Sequence, residues 1–160
     1  MRMTLLQTAS QGINRAVEKL LLLIGASICL ILFAQVVFRY AGASLGWSEE
    51  VSRHLLVAIT FLGGTAAYKR ASFIGLKGFG HRLGPGIQRG ITITLQSLTL
   101  ILFGVIAWFG AAYTLKAWEH TSSALLIPMS IPFAVIPVSA MVLVVHVLAD
   151  LTQTLGRKPP

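Results

Sequence analysis

The side chains able to do chemistry gather at the ends of apolar runs, and the densest group is Leu45-Gly46-Trp47-Ser48-Glu49-Glu50-Val51-Ser52-Arg53-His54. Two carboxylates, a guanidinium and an imidazole meet there, directly before an apolar stretch. Their order suits a decorated helix start at a membrane surface. Ser48 is an N-cap residue whose side-chain oxygen can take a free backbone N–H, and Glu49 and Glu50 fall in the first turn, where negative charge complements the helix dipole. Trp47 stands where an interfacial aromatic belongs.

The remaining titratable groups do not assemble into a reaction centre. Axial haem ligation in a helical bundle needs two histidines at one depth. His54 opens one apolar run and His146 closes another, an offset of about 15 Å at the helical rise, and His81 and His120 fall in loops on opposite sides. A carboxylate-coupled exporter needs an acid at mid-membrane. Glu18 and Asp150 lie at one set of helix ends, and Glu49, Glu50 and Glu119 at the other. His146 and Asp150, spaced i, i+4, are expected to meet as a helix-end contact. No nucleophile-base set, phosphate-cradling glycine loop or metal-ligand spacing is present, so no enzyme activity and no cofactor is expected. Ser27, Ile31, Gln35 and Arg39 share a helix face. Arg39 is therefore within geometric reach of Glu49 or Glu50 across a short turn, the alternative being that all three charges are simply solvated among headgroups.

The elements that position these groups are membrane spans. The chain has 160 residues, 55% apolar and 11% charged, with a mean hydropathy of +0.78, a balance foreign to water-soluble domains. An all-α integral membrane protein follows, one membrane domain over residues 1–160 with four spans at about 20–40, 48–68, 91–115 and 131–151, each long enough for a hydrocarbon core of about 30 Å. A cleaved signal peptide ending at Ala41-Gly42-Ala43 is the lesser alternative, because the first apolar run exceeds an h-region and Arg39 intervenes. Gly63, Gly64 and Ala67 supply small residues that let another helix approach closely. Thr92, Gln96 and Thr99 form a polar stripe suited to a helix neighbour. Pro137, inside the fourth span, removes a backbone hydrogen bond and is expected to kink it. Phe73, Leu76 and Leu83, opposite Lys77 and His81, allow an interfacial amphipathic helix within the loop 69–90. Cys29, the one cysteine, is expected to be a packing residue.

The net charge of +8 is distributed by membrane side, and the basic residues do not interleave with aromatics as a nucleic-acid surface would require. Ten lysines and arginines, at 2, 15, 19, 69, 70, 77, 82, 89, 157 and 158, lie on one side, against Arg39, Arg53 and Lys116 on the other. Both termini are expected in the cytoplasm.

Phe38-Arg39-Tyr40, Trp47-Ser48-Glu49-Glu50 with Arg53 following, Phe61-Leu62-Gly63-Gly64, Pro128 and Ile136-Pro137 together resemble the small membrane subunit of TRAP transporters, the tripartite ATP-independent periplasmic uptake systems. The resemblance covers about residues 13 to 150 of the chain. One departure is Phe73-Ile74, where the family often has His-Ile. The resemblance implies a bacterial inner-membrane protein that supports a large sodium-coupled membrane subunit. It also implies a periplasmic substrate-binding protein that delivers a carboxylated solute. Arg39, Tyr40, Trp47, Glu49, Glu50, Arg53, Gly63, Gly64, Ala67 and Pro137 are the expected interface or structural residues, and the bilayer is the other partner. The charge asymmetry predicts that reporter fusions after residues 85 and 160 read cytoplasmic and one after residue 120 periplasmic; a periplasmic signal at 85 reverses the orientation.

Overall fold

A computed structural model describes residues 5–79 and 85–156. Its helices are α1 (Leu5–Tyr40), α2 (Ser48–Phe79), α3 (Pro85–Lys116), α4 (Ser130–Phe133) and α5 (Val135–Gly156). A 3₁₀ turn over Ala117–Glu119 follows α3. Among the described residues there is no strand, only an isolated bridge between Thr121 and Pro128. Helices are the expected outcome for apolar segments of this length, since hydrocarbon supplies no partner for backbone N–H and C=O groups. Among the described residues three helical stretches are long and apolar enough to cross a membrane: Leu6–Tyr40, Gly86–Glu119 and Ser130–Gly156. Helix α2 carries Glu49, Glu50, Arg53, Lys69 and Arg70 and is less apolar than the others.

Helix α5 is the common neighbour, packing against α1, α2 and α3, while α1 also lies along α2. Helix α3 is therefore held chiefly through α5. The α1–α2 seam is built from Val17 and Ile24 on one helix and Ala58, Leu62 and Ala66 on the other, with Ile13, Leu21, Ile28, Leu55 and Ile59 packed around them. Ser10, Val17 and Ile24, all buried, repeat every seven residues, the period that keeps one side of a helix turned inward. Ala58, Leu62, Thr65, Ala66 and Lys69 are the buried stripe of α2. On α5 the buried set is wider, including Pro137, Ser139, Ala140, Leu143, His146, Val147 and Ala149, as a helix with neighbours on several sides requires.

Several boundaries and environments differ from the sequence expectation. Helix α1 begins at Leu5, and α2 continues to Phe79 through residues expected in a loop. Gly75 and Gly78 lower helix propensity without breaking it, and the next proline, Pro85, opens α3 instead. The expected interfacial helix falls on residues 80–84 and on side chains of 71–79 that lie outside the described set. Cys29 is exposed, because an apolar run in a membrane helix turns every face past the neighbour and only some faces are covered. Thr92 and Gln96 are buried, in line with a stripe facing a helix. In the last span the helix is interrupted at Ala134, which keeps helical dihedrals (φ −57°, ψ −24°). Pro137 has no N–H for the Phe133 carbonyl, so the interruption falls one turn before the proline.

Among the described residues the closest glycine contact lies between α3 and α5. A Cβ on Gly110 would stand 3.5 Å from Pro137 Cβ and Cδ, which is ordinary contact for a methyl group and leaves no room beyond it. Gly110→Ala is expected to unfold at the wild-type temperature in detergent. Gly110→Leu, by contrast, is expected to lose about 1 to 3 kcal/mol through overpacking. Equal melting of the two variants refutes the close packing.

Candidate functional site

Two polar clusters occupy opposite ends of the bundle. At the end carrying both termini, Lys69 Nζ lies 3.0 Å from Asp150 Oδ1, joining α2 to α5, and only about a tenth of either side chain is exposed. Beside it Ser10 Oγ and His146 Nδ1 are 2.7 Å apart, joining α1 to α5 in a fully buried contact. Arg70 reaches Glu18 from α2 to α1 through Nη2 at 3.1 Å and Nε at 3.3 Å, and Asn14 Nδ2 donates to the same oxygen at 3.2 Å. This third contact is more open, since about three quarters of the Arg70 side chain is exposed. Arg89 Nη2 donates to the Leu155 carbonyl at 3.0 Å, fastening α3 to the end of α5 and satisfying one of its last carbonyls. A buried ion pair is held against a large desolvation cost, and removing one partner costs about 3 to 5 kcal/mol because the other charge is stranded.

At the opposite end Glu50 is the anchor. Its Oε2 accepts the Ala124 backbone N–H at 2.7 Å and its Oε1 lies 3.7 Å from His54 Nε2. The segment it holds is folded on itself, with Ser122 N donating to Ile127 O at 2.9 Å and Met129 N to His120 O at 2.8 Å. Leu126 at its tip has φ +53° and an exposed side chain, a left-handed conformation that costs a non-glycine residue energy and persists only when its surroundings fix it. Ser48 is buried, but its hydroxyl donates backwards to the Leu45 carbonyl at 2.7 Å rather than accepting a helix N–H. The turn preceding α2, not the helix end, is what that serine ties together.

The sequence-predicted residues are thus partly gathered and partly dispersed. Glu50 is engaged by the Ala124 turn, while Arg39, Tyr40, Trp47, Glu49 and Arg53 are exposed. Arg39 makes no ion pair with either acid among the described residues, and the Glu50 carboxylate accepts the Ala124 N–H instead. Gly63 approaches only Leu21 Cδ2, at 4.0 Å from the site of a Cβ, and a Cβ on Gly64 would touch nothing. Gly63 and Ala67 instead line a groove between α1 and α2 with Glu18, Leu21, Leu22, Ala66 and Arg70. Within this chain the close helix face is Ala58, Leu62 and Ala66. His146 and Asp150 each have a partner on another helix: one meets Ser10, the other Lys69. The terminus-end cluster escaped the sequence expectation. Its one signal was four polar groups, Ser10, Lys69, His146 and Asp150, at a common depth near helix ends.

Among the described residues no group of three or more His, Cys, Asp or Glu could hold a metal ion. What the clusters do is join helices. The structure therefore defines a class, a helical membrane protein with polar side-chain contacts that tie its helices together. Comparison places it further. The family model "Tripartite ATP-independent periplasmic transporters, DctQ component" matches residues 28–157, and the chain belongs to that family, as a multi-pass protein of the bacterial inner membrane. The isethionate TRAP transporter permease protein DctMQ of Oleidesulfovibrio alaskensis is 30% identical over 134 residues, which is 78% of this chain and 21% of that protein. A Haemophilus influenzae protein described as a TRAP transporter small permease is 28% identical over 98 residues, 61% of each chain. The chain thus spans about a fifth of the first relative and three fifths of the second.

Glu50→Ala is expected to free the 120–129 segment, so that limited proteolysis cuts there several-fold faster while the helices remain intact. Glu50→Gln, which keeps an acceptor for the Ala124 N–H, is expected to stay near the wild-type rate. Indistinguishable cleavage of all three proteins means that the segment is held without Glu50.

Proposed function

We propose that this chain is the non-catalytic small membrane subunit of a TRAP-type secondary uptake system. It crosses the membrane four times with both ends in the cytoplasm and supports a large sodium-coupled subunit. That partner imports a carboxylated solute received from a periplasmic binding protein. The observation that carries the reading is the match to the DctQ component over residues 28–157. The Oleidesulfovibrio relative adds support, since a segment like this chain occupies only about a fifth of that permease protein. Such an arrangement holds a small-subunit-like segment and a much larger remainder on one polypeptide.

The physical features agree with a supporting role. Helix α2 lies against α1 and α5 from Ala58 to Lys69, so it shares their passage although it is less apolar. Its first-turn acids and its terminus-end cations then fall at the two headgroup levels. Transport sites near the midplane are built from broken helices and uncompensated polar groups. Here Lys69 is already neutralised by Asp150, so the choice of anion belongs to the larger partner. The isethionate in one relative's name is said of that protein alone. A redox role would need paired histidines, whereas His146 and His54 stand at opposite ends of the bundle.

The groove containing Gly63 and Ala67 is the helix-docking face this reading favours, because small residues leave room that no described side chain fills. Co-expression with the large permease subunit is expected to yield a stable complex in detergent, with uptake in proteoliposomes only when both are present. Gly63→Leu and Ala67→Leu are expected to reduce complex yield while leaving the melting temperature of the isolated chain within a degree or two, given how little these positions touch internally. Uptake by the large subunit alone overturns the supporting role, and wild-type yield from both variants means that the groove faces lipid.

A further inference from the structure

Three contacts between side chains at the terminus end join three different helix pairs. Ser10 with His146 joins α1 to α5, Lys69 with Asp150 joins α5 to α2, and Arg70 with Glu18 joins α2 to α1. Each helix contributes two members and no contact is duplicated. The sequence offsets explain how one helix reaches both neighbours. Lys69 and Arg70, adjacent on α2, are separated by about 100° around the helix, so one faces α5 and the other α1. Ser10 and Glu18 on α1 differ by eight residues, about 80° around the axis, and divide in the same way. His146 and Asp150, spaced i, i+4, share one face of α5 and lie one turn apart.

A closed triangle constrains more than its three sides taken singly. With two sides present, the third pair of helices can still rotate or slide; closure removes that freedom. The energetics point to alignment rather than to stability as the return. Burying Lys69 with Asp150 gains little over apolar residues of similar size. His146 is fully buried, and its Nε2 has no hydrogen-bond partner among the described residues, so the hydrogen bond that orients its ring is the one to Ser10. Apolar side chains would pack the same volume at lower cost but would fit several rotations equally well.

We propose that Ser10, Glu18, Lys69, Arg70, His146 and Asp150 act together as a polar girdle that fixes the rotation and register of α1 against α2 and α5, and so sets the α1–α2 contact farther along the bundle. The reporter for that contact is Leu21 against Gly63, which lies about 16 Å along α1 from Ser10 at the helical rise. The girdle is a property of the isolated chain and is independent of the subunit assignment.

The test uses the full chain in detergent with Cys29→Ser, Leu21→Cys and Gly63→Cys, and follows the rate of cross-linking between the two introduced thiols with a short bifunctional reagent. In this parent the cross-link is expected to form rapidly. Ser10→Ala, which breaks the α1–α5 side and leaves both cysteines and the α1–α2 ion pair intact, is expected to slow it on the order of fivefold. Lys69→Met is expected to slow it similarly, and the exchanged pair Lys69→Asp with Asp150→Lys to restore the parent rate. Parent-rate cross-linking in Ser10→Ala means that each contact acts locally and overturns the proposal. A second measurement covers the case in which a variant is too unstable to cross-link. Melting temperatures of Ser10→Ala, Arg70→Ala and the double variant are expected to be non-additive for a closed girdle, and strict additivity overturns it.

Discussion

The Lys69–Asp150 contact is the interaction on which the arrangement rests, because among the described residues it is the ion pair whose two charges are both withdrawn between helices. Neither charge tolerates being alone in such a setting. The ammonium on α2 must therefore find the carboxylate on α5, and a displacement of either helix by a single turn of about 5.4 Å would strand both. Apolar contacts between Leu, Val and Ile surfaces carry no such penalty for slippage. The pair thus selects one register out of several that hydrophobic packing alone would accept, and α5, already the neighbour of every other long helix, passes that register on to them.

Much of the architecture was legible because the bilayer imposes it. Span length follows from hydrocarbon thickness and helical rise, and apolar runs of that length can be counted along a chain. Glu50 was also legible as significant, since acids in a first turn after a tryptophan are uncommon company for an apolar helix. Its partner was not. Arg39 is near in sequence and opposite in charge, yet the carboxylate bonds to the backbone of Ala124, 74 residues away. Backbone donors have no signature in a sequence. The same blindness explains His146 and Asp150, whose i, i+4 spacing suggests a local pair, while their partners stand 136 and 81 residues distant. Lys69 was read as one more cation of a cytoplasmic loop. Only the continuation of α2 to Phe79 carries it along the side of α5.

The two ends of the bundle solve different problems. At the terminus end, side chains meet side chains across three helix pairs, and the result is alignment. At the other end a carboxylate meets a backbone amide, and the result is a shaped turn. Glu50 gathers the 120–129 segment against the start of α2, where paired backbone hydrogen bonds hold Leu126 in a left-handed conformation. Such a conformation survives only where the surroundings determine it. The Ser48 hydroxyl contributes from the opposite side by closing the Leu45 turn. A segment that could have been loose is thereby a fixed part of the surface.

The thinness of the bundle gives these polar contacts their weight. Helix α3 touches chiefly α5, and Leu95, Leu98, Leu102, Val105, Trp108 and Phe109 along it are exposed. On α1, Leu22, Leu23, Leu30 and Phe33 are likewise uncovered. In water such surfaces would collapse against one another and a thicker core would form. In a bilayer the lipid tails are as apolar as the side chains, so that drive is absent and helices stay together through packing and specific polar bonds. An array with so little interior cannot rely on a buried core for its geometry. Two polar clusters at opposite ends of the bundle are where such an array can encode one structure.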